Sequence, residues 1–258
     1  MRALISNDDG VHSPGLEALV AAARAEGLEA YVVAPDREQS ASSHALTMHR
    51  PLRVHAVGEG TWSVDGTPTD CVNLALCSIL KATPPDLVLA GINAGPNLGD
   101  DVTYSGTVAC AFEGTLLGVP SLAFSLDTWQ EPGRDDPDFA TAREAARAII
   151  GLALKAPPSG DTLWNVNIPH GPLKGYRVTR MGRRRYGENI VEKIDPRGRP
   201  YFWIGGVHVD THADGTDLTA VADGFVSVTP LHLDLTDYHA LGELEKLARR
   251  LPVPAPSR

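Results

Sequence analysis

Short apolar segments alternate with helix-like segments through the first half of the chain. Strand-like runs lie at residues 3–5, 30–33, 87–90 and 122–124, and helical patterns at 16–25, 70–80, 108–117 and 139–154. Strands that are apolar throughout and are separated by helices are typical of a parallel sheet covered on both faces. The sequence therefore predicts an α/β fold, with a mostly parallel sheet and helices on both of its sides.

The second half of the chain follows a different pattern. A further buried strand is predicted at 163–168; after Gly171, strand-like runs at 176–180, 190–194, 201–204 and 225–229 precede a helical pattern at 238–249. Short runs of this kind, joined by turn residues, are typical of hairpins. We therefore divide the chain into a core at residues 1–170 and a hairpin and C-terminal extension at residues 171–258, which completes the same structural domain.

Charge, hydropathy and cysteine content limit which kinds of molecule this chain is expected to bind. The formal net charge of −9 over 258 residues argues against a nucleic-acid duplex as the main partner. No apolar run is long enough to span a bilayer, and the first residues show no signal-peptide pattern. Cys71, Cys77 and Cys110 lack the spacing of a metal or redox motif, so we expect small core residues without disulfides. These features predict a cytoplasmic protein with no membrane partner.

Two adjacent carboxylates follow the first predicted strand. Asp8 and Asp9 lie between Asn7 and Gly10, directly after the apolar run. Ligands bind at the carboxyl ends of strands in open α/β sheets, and neighbouring carboxylates stay ionised most easily when a cation lies between them. Oxygen ligands favour Mg²⁺ or Mn²⁺ over zinc. A solvated turn is the alternative, because the same residue types form turns.

Two later loops offer further oxygen ligands and anion binders. After the second strand, Ser40 can present a hydroxyl to a metal, and Ser42 and Ser43 can hydrogen-bond a phosphate, although Ser-rich loops are common without a function. After the third strand, a Gly-rich segment carries Asn93, whose amide oxygen suits a cation, and Asn97, which can hydrogen-bond an anion. The segment matches neither a P-loop nor a dinucleotide-binding motif.

A fourth segment opens the helix predicted at 108–117. It reads Tyr104-Ser105-Gly106-Thr107. Ser or Thr at this position often serves only as a helix cap. The free N–H groups and the positive dipole end of a helix start also bind anions, so the segment is a candidate phosphate site.

Together these segments resemble one family. They occur in the order found in the SurE survival-protein family: Asn7-Asp8-Asp9-Gly10, the loop around Ser40, the helix start at 66–70, the segment at 91–97 and Ser105-Gly106-Thr107. The chain resembles a bacterial member over nearly its whole length, most specifically in its first half. The resemblance implies a Rossmann-like fold, one divalent metal ion per subunit and hydrolysis of nucleoside 5′- and 3′-monophosphates.

The resemblance also implies roles for individual residues. The metal ligands would be Asp8, Asp9, Ser40 and Asn93, with the two aspartates in the catalytic role. The phosphate-binding groups would be Asn97, Ser105, Gly106 and Thr107, beside Ser42 and Ser43 from the loop. The C-terminal extension would mediate assembly into a homodimer or homotetramer.

These inferences lead to one predicted activity and two alternatives to it. We predict a metal-dependent phosphomonoesterase of the 5′-nucleotidase or acid-phosphatase type, in which Asp8 is a metal ligand and general base or a covalent nucleophile. Haloacid-dehalogenase-like phosphatases separate their two carboxylates by one residue, whereas Asp8 and Asp9 are adjacent, which disfavours that mechanism. The alternative from another class is a non-catalytic module that senses nucleotides or phosphate.

Other polar residues are expected to lie outside the chemistry. Glu113 is interpreted as a helix-surface or supporting carboxylate rather than a base. The basic run Arg183-Arg184-Arg185 is interpreted as a solvated hairpin, with contact to a phosphate across a subunit boundary as the alternative. His208 and His212 are interpreted as strand-surface or interface residues, because no third ligand accompanies them at a metal-site spacing.

Overall fold

A nine-stranded sheet organises the molecule. The computed structural model describes residues 1–128, 138–186, 190–204, 208–211 and 213–251, so that His212 lies outside the described residues. The sheet has the order β3-β4-β2-β1-β5-β6-β7-β13-β8. Its strands are β1 (Arg2–Ser6), β2 (Glu29–Pro35), β3 (Val54–Gly58), β4 (Thr61–Val64), β5 (Leu87–Ala94), β6 (Ser121–Leu126), β7 (Thr162–Ile168), β8 (Tyr176–Val178) and β13 (Val226–His232).

The sheet is mostly parallel, which confirms the predicted fold class. Only the β3–β4 and β7–β13 pairs within it run antiparallel. The helices are α1 (Pro14–Ala25), α2 (Pro68–Leu74), α3 (Gly106–Leu116), α4 (Ala140–Ala153), α5 (Asp217–Ala222) and α6 (Leu241–Ala248). None of the helices in the described ranges is long and apolar enough to cross a membrane.

Burial on both faces explains why the first strands are continuously apolar. Successive side chains of a strand point to opposite faces, so Leu4 and Ile5 of β1 enter different cores. Ile5 packs in the core that α1 and α4 cover, and Leu4 in the core that α2 and α3 cover. Both side chains are fully buried, and each such burial is worth about 1.5–3 kcal/mol.

Two predicted elements differ in their extent. The helix predicted at 70–80 begins earlier, at Pro68, where Thr67 and Asp70 form a capping box. It is α-helical only to Leu74 and continues as a π-helical turn, Ala75–Ile79. Strand β5 extends to Ala94 and so includes part of the predicted Gly-rich loop.

The chain after residue 170 both joins the central sheet and builds two small ladders. Strand β13 pairs with β7 on one side and β8 on the other. One ladder is the hairpin of β10 (Ile190–Ile194) and β11 (Pro200–Ile204); the other pairs β9 (Arg183–Tyr186) with β12 (His208–Thr211). The sequence analysis did not predict α5.

The three cysteines are free, and two of them match the prediction. Cys71 and Cys110 are buried in the core beneath α2 and α3, where burial raises the pKa of both thiols. Cys77 is exposed, so the expectation of a core residue is wrong there. It lies in the π-helical turn, beyond the end of the buried stretch of α2.

Candidate active site

The predicted site residues come together at the carboxyl edge of the sheet. Strands β1, β2 and β5 are parallel neighbours, and the loops that follow them meet there. Two backbone groups join these loops: Gln39 N–H donates to Asp8 O at 2.7 Å, and Ala94 N–H donates to Asp9 Oδ2 at 3.3 Å. The residues next to these two donors are Ser40 and Asn93, two of the predicted metal ligands.

Asn7 fixes the turn that presents the two aspartates. Its amide oxygen accepts from Gly10 N–H at 3.2 Å, and its amide nitrogen donates to Gly10 O at 3.0 Å and to Ser13 Oγ at 2.7 Å. Ser13 in turn caps α1. The sequence analysis gave Asn7 no role of its own, although an Asx residue that opens a turn is a recognisable signal.

Asp8 is buried against the start of α3. Its Oδ1 accepts a hydrogen bond from the Thr107 hydroxyl. Burial raises the pKa of Asp8, and hydrogen bonds from the Thr107 hydroxyl and from the backbone N–H groups of Thr107 and Gly106 offset only part of this rise. The N–H groups at the start of α3 therefore point towards a carboxylate whose ionised form is disfavoured by burial.

Asp9 is half-buried beside Asp8. Burial and then the neighbouring Asp8 carboxylate raise the pKa of Asp9 to about 6, with a further contribution from Glu38. Two desolvated carboxylates side by side form an anionic site, and a bound cation would relieve both the desolvation and the repulsion.

The remaining predicted metal ligands supply neutral oxygens. Ser40 is exposed, and its hydroxyl donates to Glu38 Oε1 at 2.7 Å. Asn93 donates its amide nitrogen to Gly95 O at 2.7 Å, so the amide oxygen is the atom left to coordinate an ion. Within the described ranges, no group of three or more His, Cys, Asp or Glu side chains is placed to hold a metal. The candidate set has two carboxylates and fits a hard cation through oxygen alone.

The predicted phosphate-binding residues divide into those already bonded and those still free. Ser105 caps α3, since its Oγ accepts from Val108 N–H at 3.0 Å. Ser43 Oγ donates to Thr103 O at 2.8 Å, and the Thr107 hydroxyl is bonded to Asp8. Ser42 Oγ is buried and has no hydrogen-bond partner among the described residues. An unpaired buried hydroxyl of this kind suits an anion that would accept its hydrogen bond.

Gly106 brings these groups into close contact. A Cβ atom at this residue would lie 2.8 Å from Asp8 Cβ and 2.8 Å from Ser42 Oγ. Both distances are too short for a side chain. The backbone at the start of α3 therefore approaches the carboxylate and the serine loop as closely as only glycine permits.

A buried polar network holds Asn97 in place. Asn97 N–H donates to Asn167 Oδ1 at 2.8 Å, and its side-chain amide donates to Ser125 Oγ at 2.7 Å. Asn97 O accepts from the amides of Asn165 and Asn167, at 2.9 and 3.0 Å. The sequence analysis missed Ser125, Asn165 and Asn167. The available signal was the alternation of two asparagines within a predicted buried strand.

Two residues expected to lie outside the chemistry, Arg184 and Glu113, are buried. Arg184 is buried, and its guanidinium contacts Asp101 Oδ2 at 2.6 Å, whereas Arg183 is exposed. Glu113 is also buried, on the face of α3 that meets the loop carrying His44. The interpretation of the basic run as fully solvated is therefore wrong at Arg184, because the strand pair β9–β12 places it against the turn Gly99–Thr103.

Comparisons with known proteins identify relatives over most of the chain. The family model described as survival protein SurE matches residues 3–188. A 5′-nucleotidase SurE of Syntrophotalea carbinolica is 52% identical over 246 residues, 93% of this chain and 94% of the relative. Another from Anaeromyxobacter sp. (strain Fw109-5) is 55% identical over 240 residues, 91% of each chain. The crystal structure of SurE protein from Aquifex aeolicus superposes with a TM-score of 0.83 at 43% identity, covering 96% of this chain and 100% of that one.

Proposed function

The chain belongs to the SurE survival-protein family, and from this premise we propose that it hydrolyses nucleoside 5′- and 3′-monophosphates with the help of one divalent metal ion. Its relatives at about half identity are named 5′-nucleotidases, and the chain is accordingly a phosphoric monoester hydrolase. The metal dependence and the activity on 3′-monophosphates are the parts that go beyond this likeness.

One observation carries the proposal: two desolvated aspartates are adjacent, and one of them, Asp8, lies against the amides of a helix start. Asp8 and Asp9 both have raised pKa values, and Asp8 contacts the first turn of α3. A cation beside the aspartates and a phosphate between the cation and the helix would complement each other in charge. The non-catalytic sensing module has less support, because binding phosphate alone does not need a pair of desolvated carboxylates.

The residues of the site have distinct roles in this proposal. Asp8, Asp9, Ser40 and Asn93 would hold Mg²⁺ or Mn²⁺. A divalent cation bound there supplies positive charge that stabilises a phosphoryl group under attack. The helix start at Gly106 and Thr107, with the Ser42 hydroxyl and Asn97, would bind phosphate oxygens and stabilise their charge in the transition state.

Asp8 is the candidate general base or nucleophile of the reaction. In one route its carboxylate takes a proton from the attacking water while the bond from phosphorus to the nucleoside oxygen breaks. In the other, a carboxylate oxygen attacks phosphorus and the resulting acyl phosphate is hydrolysed in a second step. In both routes the products are nucleoside and inorganic phosphate. Acid quenching during turnover of ³²P-labelled substrate separates the routes, because only the second leaves label on the protein.

Metal removal tests the proposal directly. Protein treated with EDTA and then freed of the chelator should release no phosphate from a nucleoside 5′- or 3′-monophosphate. Addition of Mg²⁺ or Mn²⁺ should restore release. Full activity in demonstrably metal-free protein would contradict the metal requirement. Binding of nucleotide by calorimetry without any release in the presence of metal would favour the sensing module instead.

A further inference from the structure

Glu113 is a buried carboxylate that the proposed chemistry does not use. It lies on α3 with 5% of its surface exposed. Its Oε2 accepts a hydrogen bond from His44 Nε2 at 2.8 Å, and its Oε1 accepts one from Asn73 Nδ2 at 2.7 Å. Burial by itself raises the pKa of Glu113, but these two hydrogen bonds outweigh it and hold the pKa below its usual value. The carboxylate is therefore ionised at neutral pH, and each of its oxygens accepts a hydrogen bond.

His44 belongs to the loop that carries Ser42 and Ser43. Its imidazole also lies near the ring of Phe112, with the centroids 6.2 Å apart. The loop is fastened to the chain just before α3 on one side of His44 and to α2 on the other. Ser43 N–H donates to Tyr104 O at 3.1 Å, and Thr47 N–H donates to Asp70 Oδ1 at 2.9 Å. The His44–Glu113 contact lies between these two anchors and joins the loop to the body of α3.

The loop needs such anchoring because its backbone is strained next to Ser42. Ala41 and Ser43 have φ values of 57° and 53°, in the left-handed region that residues with side chains rarely adopt. Without restraint, this segment would relax to conformations that move the Ser42 hydroxyl away from Gly106. A non-glycine residue stays in this region only where surrounding contacts hold it there.

We propose that Glu113 is a positioning residue, which acts through His44 to hold the Ser42–Ser43 segment against the start of α3 where phosphate binds. This inference rests on the proposed phosphate site, but it concerns residues to which no role in the reaction has been assigned. It explains why a carboxylate is kept inside the protein at the cost of its desolvation. Phosphate affinity should then depend on Glu113 only through His44.

A set of four variants isolates this link. H44A and E113A each break the His44–Glu113 contact. N73A is the matched control, because it removes the other partner of the same carboxylate, which lies on α2 and not on the loop. H44Q is the rescue variant, because the glutamine amide can donate to Glu113 from a similar reach.

The measurement is calorimetric binding of inorganic phosphate in the presence of Mg²⁺. We expect the Kd to rise about tenfold in H44A and in E113A, a loss typical of one hydrogen bond to a charged group. A fifth protein, the H44A/E113A double variant, should bind phosphate no more weakly than either single variant, since both substitutions remove the same interaction. N73A and H44Q should stay within about twofold of the wild type. Hydrogen exchange at the amides of Ser43 and Thr47 should accelerate in H44A and E113A but not in N73A or H44Q.

The outcomes separate this inference from the proposed function. Unchanged phosphate affinity in H44A would overturn the inference, and so would an equal loss in N73A, which would show that Glu113 acts through helix packing instead. If E113A does not fold, H44A decides the matter, because its imidazole is partly exposed on a loop. Hydrolysis with no effect of His44 refutes the inference alone. Phosphate binding that depends on His44 without hydrolysis refutes the proposed function alone.

Discussion

Asp9 illustrates how a residue of the proposed metal site opposes folding. Its pKa is raised from 3.8 to about 6, so the metal-free folded state binds a proton more tightly than the unfolded chain does. For a raised carboxyl pKa, the penalty is present above about pH 6 and disappears as the pH falls through 6 towards 3.8. This penalty is the reason that a cation should stabilise the protein strongly, since it binds only the folded site.

Substitution of Asp9 tests whether its charge destabilises the metal-free protein and stabilises the metal-bound one. In EDTA at pH 7.5, Asp9→Asn should increase the free energy of unfolding by about 1–2 kcal/mol, because a desolvated charge is removed. At pH 4.5, which lies between the two pKa values, the gain should fall to roughly a third of its value at pH 7.5. With millimolar Mg²⁺ the wild type should become the more stable protein. Thermal melts of both proteins under these three conditions check the prediction. An equal difference at both pH values in EDTA would contradict the assigned pKa.

The network around Asn97 leads to a second prediction at this scale. Asn167→Asp removes the donor to Asn97 O and places a negative charge beside that carbonyl. We expect the KM for a nucleoside monophosphate to rise about tenfold and the stability to fall by about 2 kcal/mol. Ser121→Ala is the control, because Ser121 is a buried hydroxyl of the same sheet that donates to Val119 O at the opposite end of β6 from Ser125. It should cost stability without changing KM, and a rise in KM there would show that any loosening of the sheet suffices.

Sequence reasoning reached the loops of the site but not this network. The loop residues come directly after recognisable strands, and their chemical types suggest metal and phosphate binding. The supporting residues depend on strand register: Ser125 of β6 pairs with Asn167 of β7, and both face the segment of Asn97. A single sequence shows the polar residues but does not show which of them are opposite one another.

At the scale of elements, α3 combines the proposed phosphate site and the packing of the sheet. Two of its glycines separate these roles. A Cβ atom at Gly106 would meet Asp8 and Ser42, whereas one at Gly114 would meet Ser121 Oγ and lie 2.8 Å from Val88 Cγ2. The first glycine therefore allows Asp8 and the serine loop to lie against the helix start, and the second allows the helix to lie close to the sheet.

Alanine at either glycine should destabilise the protein, but only alanine at Gly106 should change phosphate binding. Gly106→Ala should weaken inorganic phosphate binding and lower turnover at least tenfold, because its Cβ atom would push Asp8 and Ser42 away from the helix start. Gly114→Ala should destabilise the protein by about 1–3 kcal/mol through overpacking and leave phosphate affinity nearly unchanged. Calorimetry and thermal melts on both variants provide the test. If Gly106→Ala bound phosphate as tightly as the wild type, the start of α3 would not be the phosphate site.

One of the elements that sequence reasoning missed is α5. Helix α5 is six residues long, too short to show a helical period in its side chains. Its role depends on Asp217, which is buried and accepts hydrogen bonds from Gly99 N–H at 2.8 Å and Gly182 N–H at 2.7 Å. These bonds tie the turn after Asn97 to the chain before β9. Contacts between residues so far apart in sequence leave no local pattern.

At the scale of the whole molecule, the first half was predictable because its pattern is local. Each strand is apolar, each helix has its own cap or period, and a right-handed parallel arrangement follows from their alternation. The second half of the chain was less predictable. The strand predicted at 225–229 was read as one of a series of hairpins, yet β13 returns to the central sheet beside β7. The sequence predicts that strand but does not specify its partner.

The same half of the chain leaves apolar side chains exposed, and these predict self-association. Phe202, Trp203 and Ile204 of β11 are 58%, 65% and 90% exposed, and Leu244 of α6 is 61% exposed. Single exposed apolar residues are ordinary, but contiguous ones on a hairpin and a helix are typical of an interface. We therefore expect a homodimer or homotetramer.

Light scattering at micromolar concentration should show this assembly. Combined replacement of Trp203 and Ile204 by Ser should shift the protein towards smaller species, because it removes apolar surface that only a second copy would cover. Leu116→Ser is the matched control, since this side chain is also exposed, at 57%, but stands alone on α3. The fold of each subunit should persist in both variants, as the replaced side chains lie outside the core. A wild type that is only monomeric would refute the prediction. An unchanged mass after the double replacement would instead indicate an interface formed by α6, and Leu244→Glu is the corresponding test.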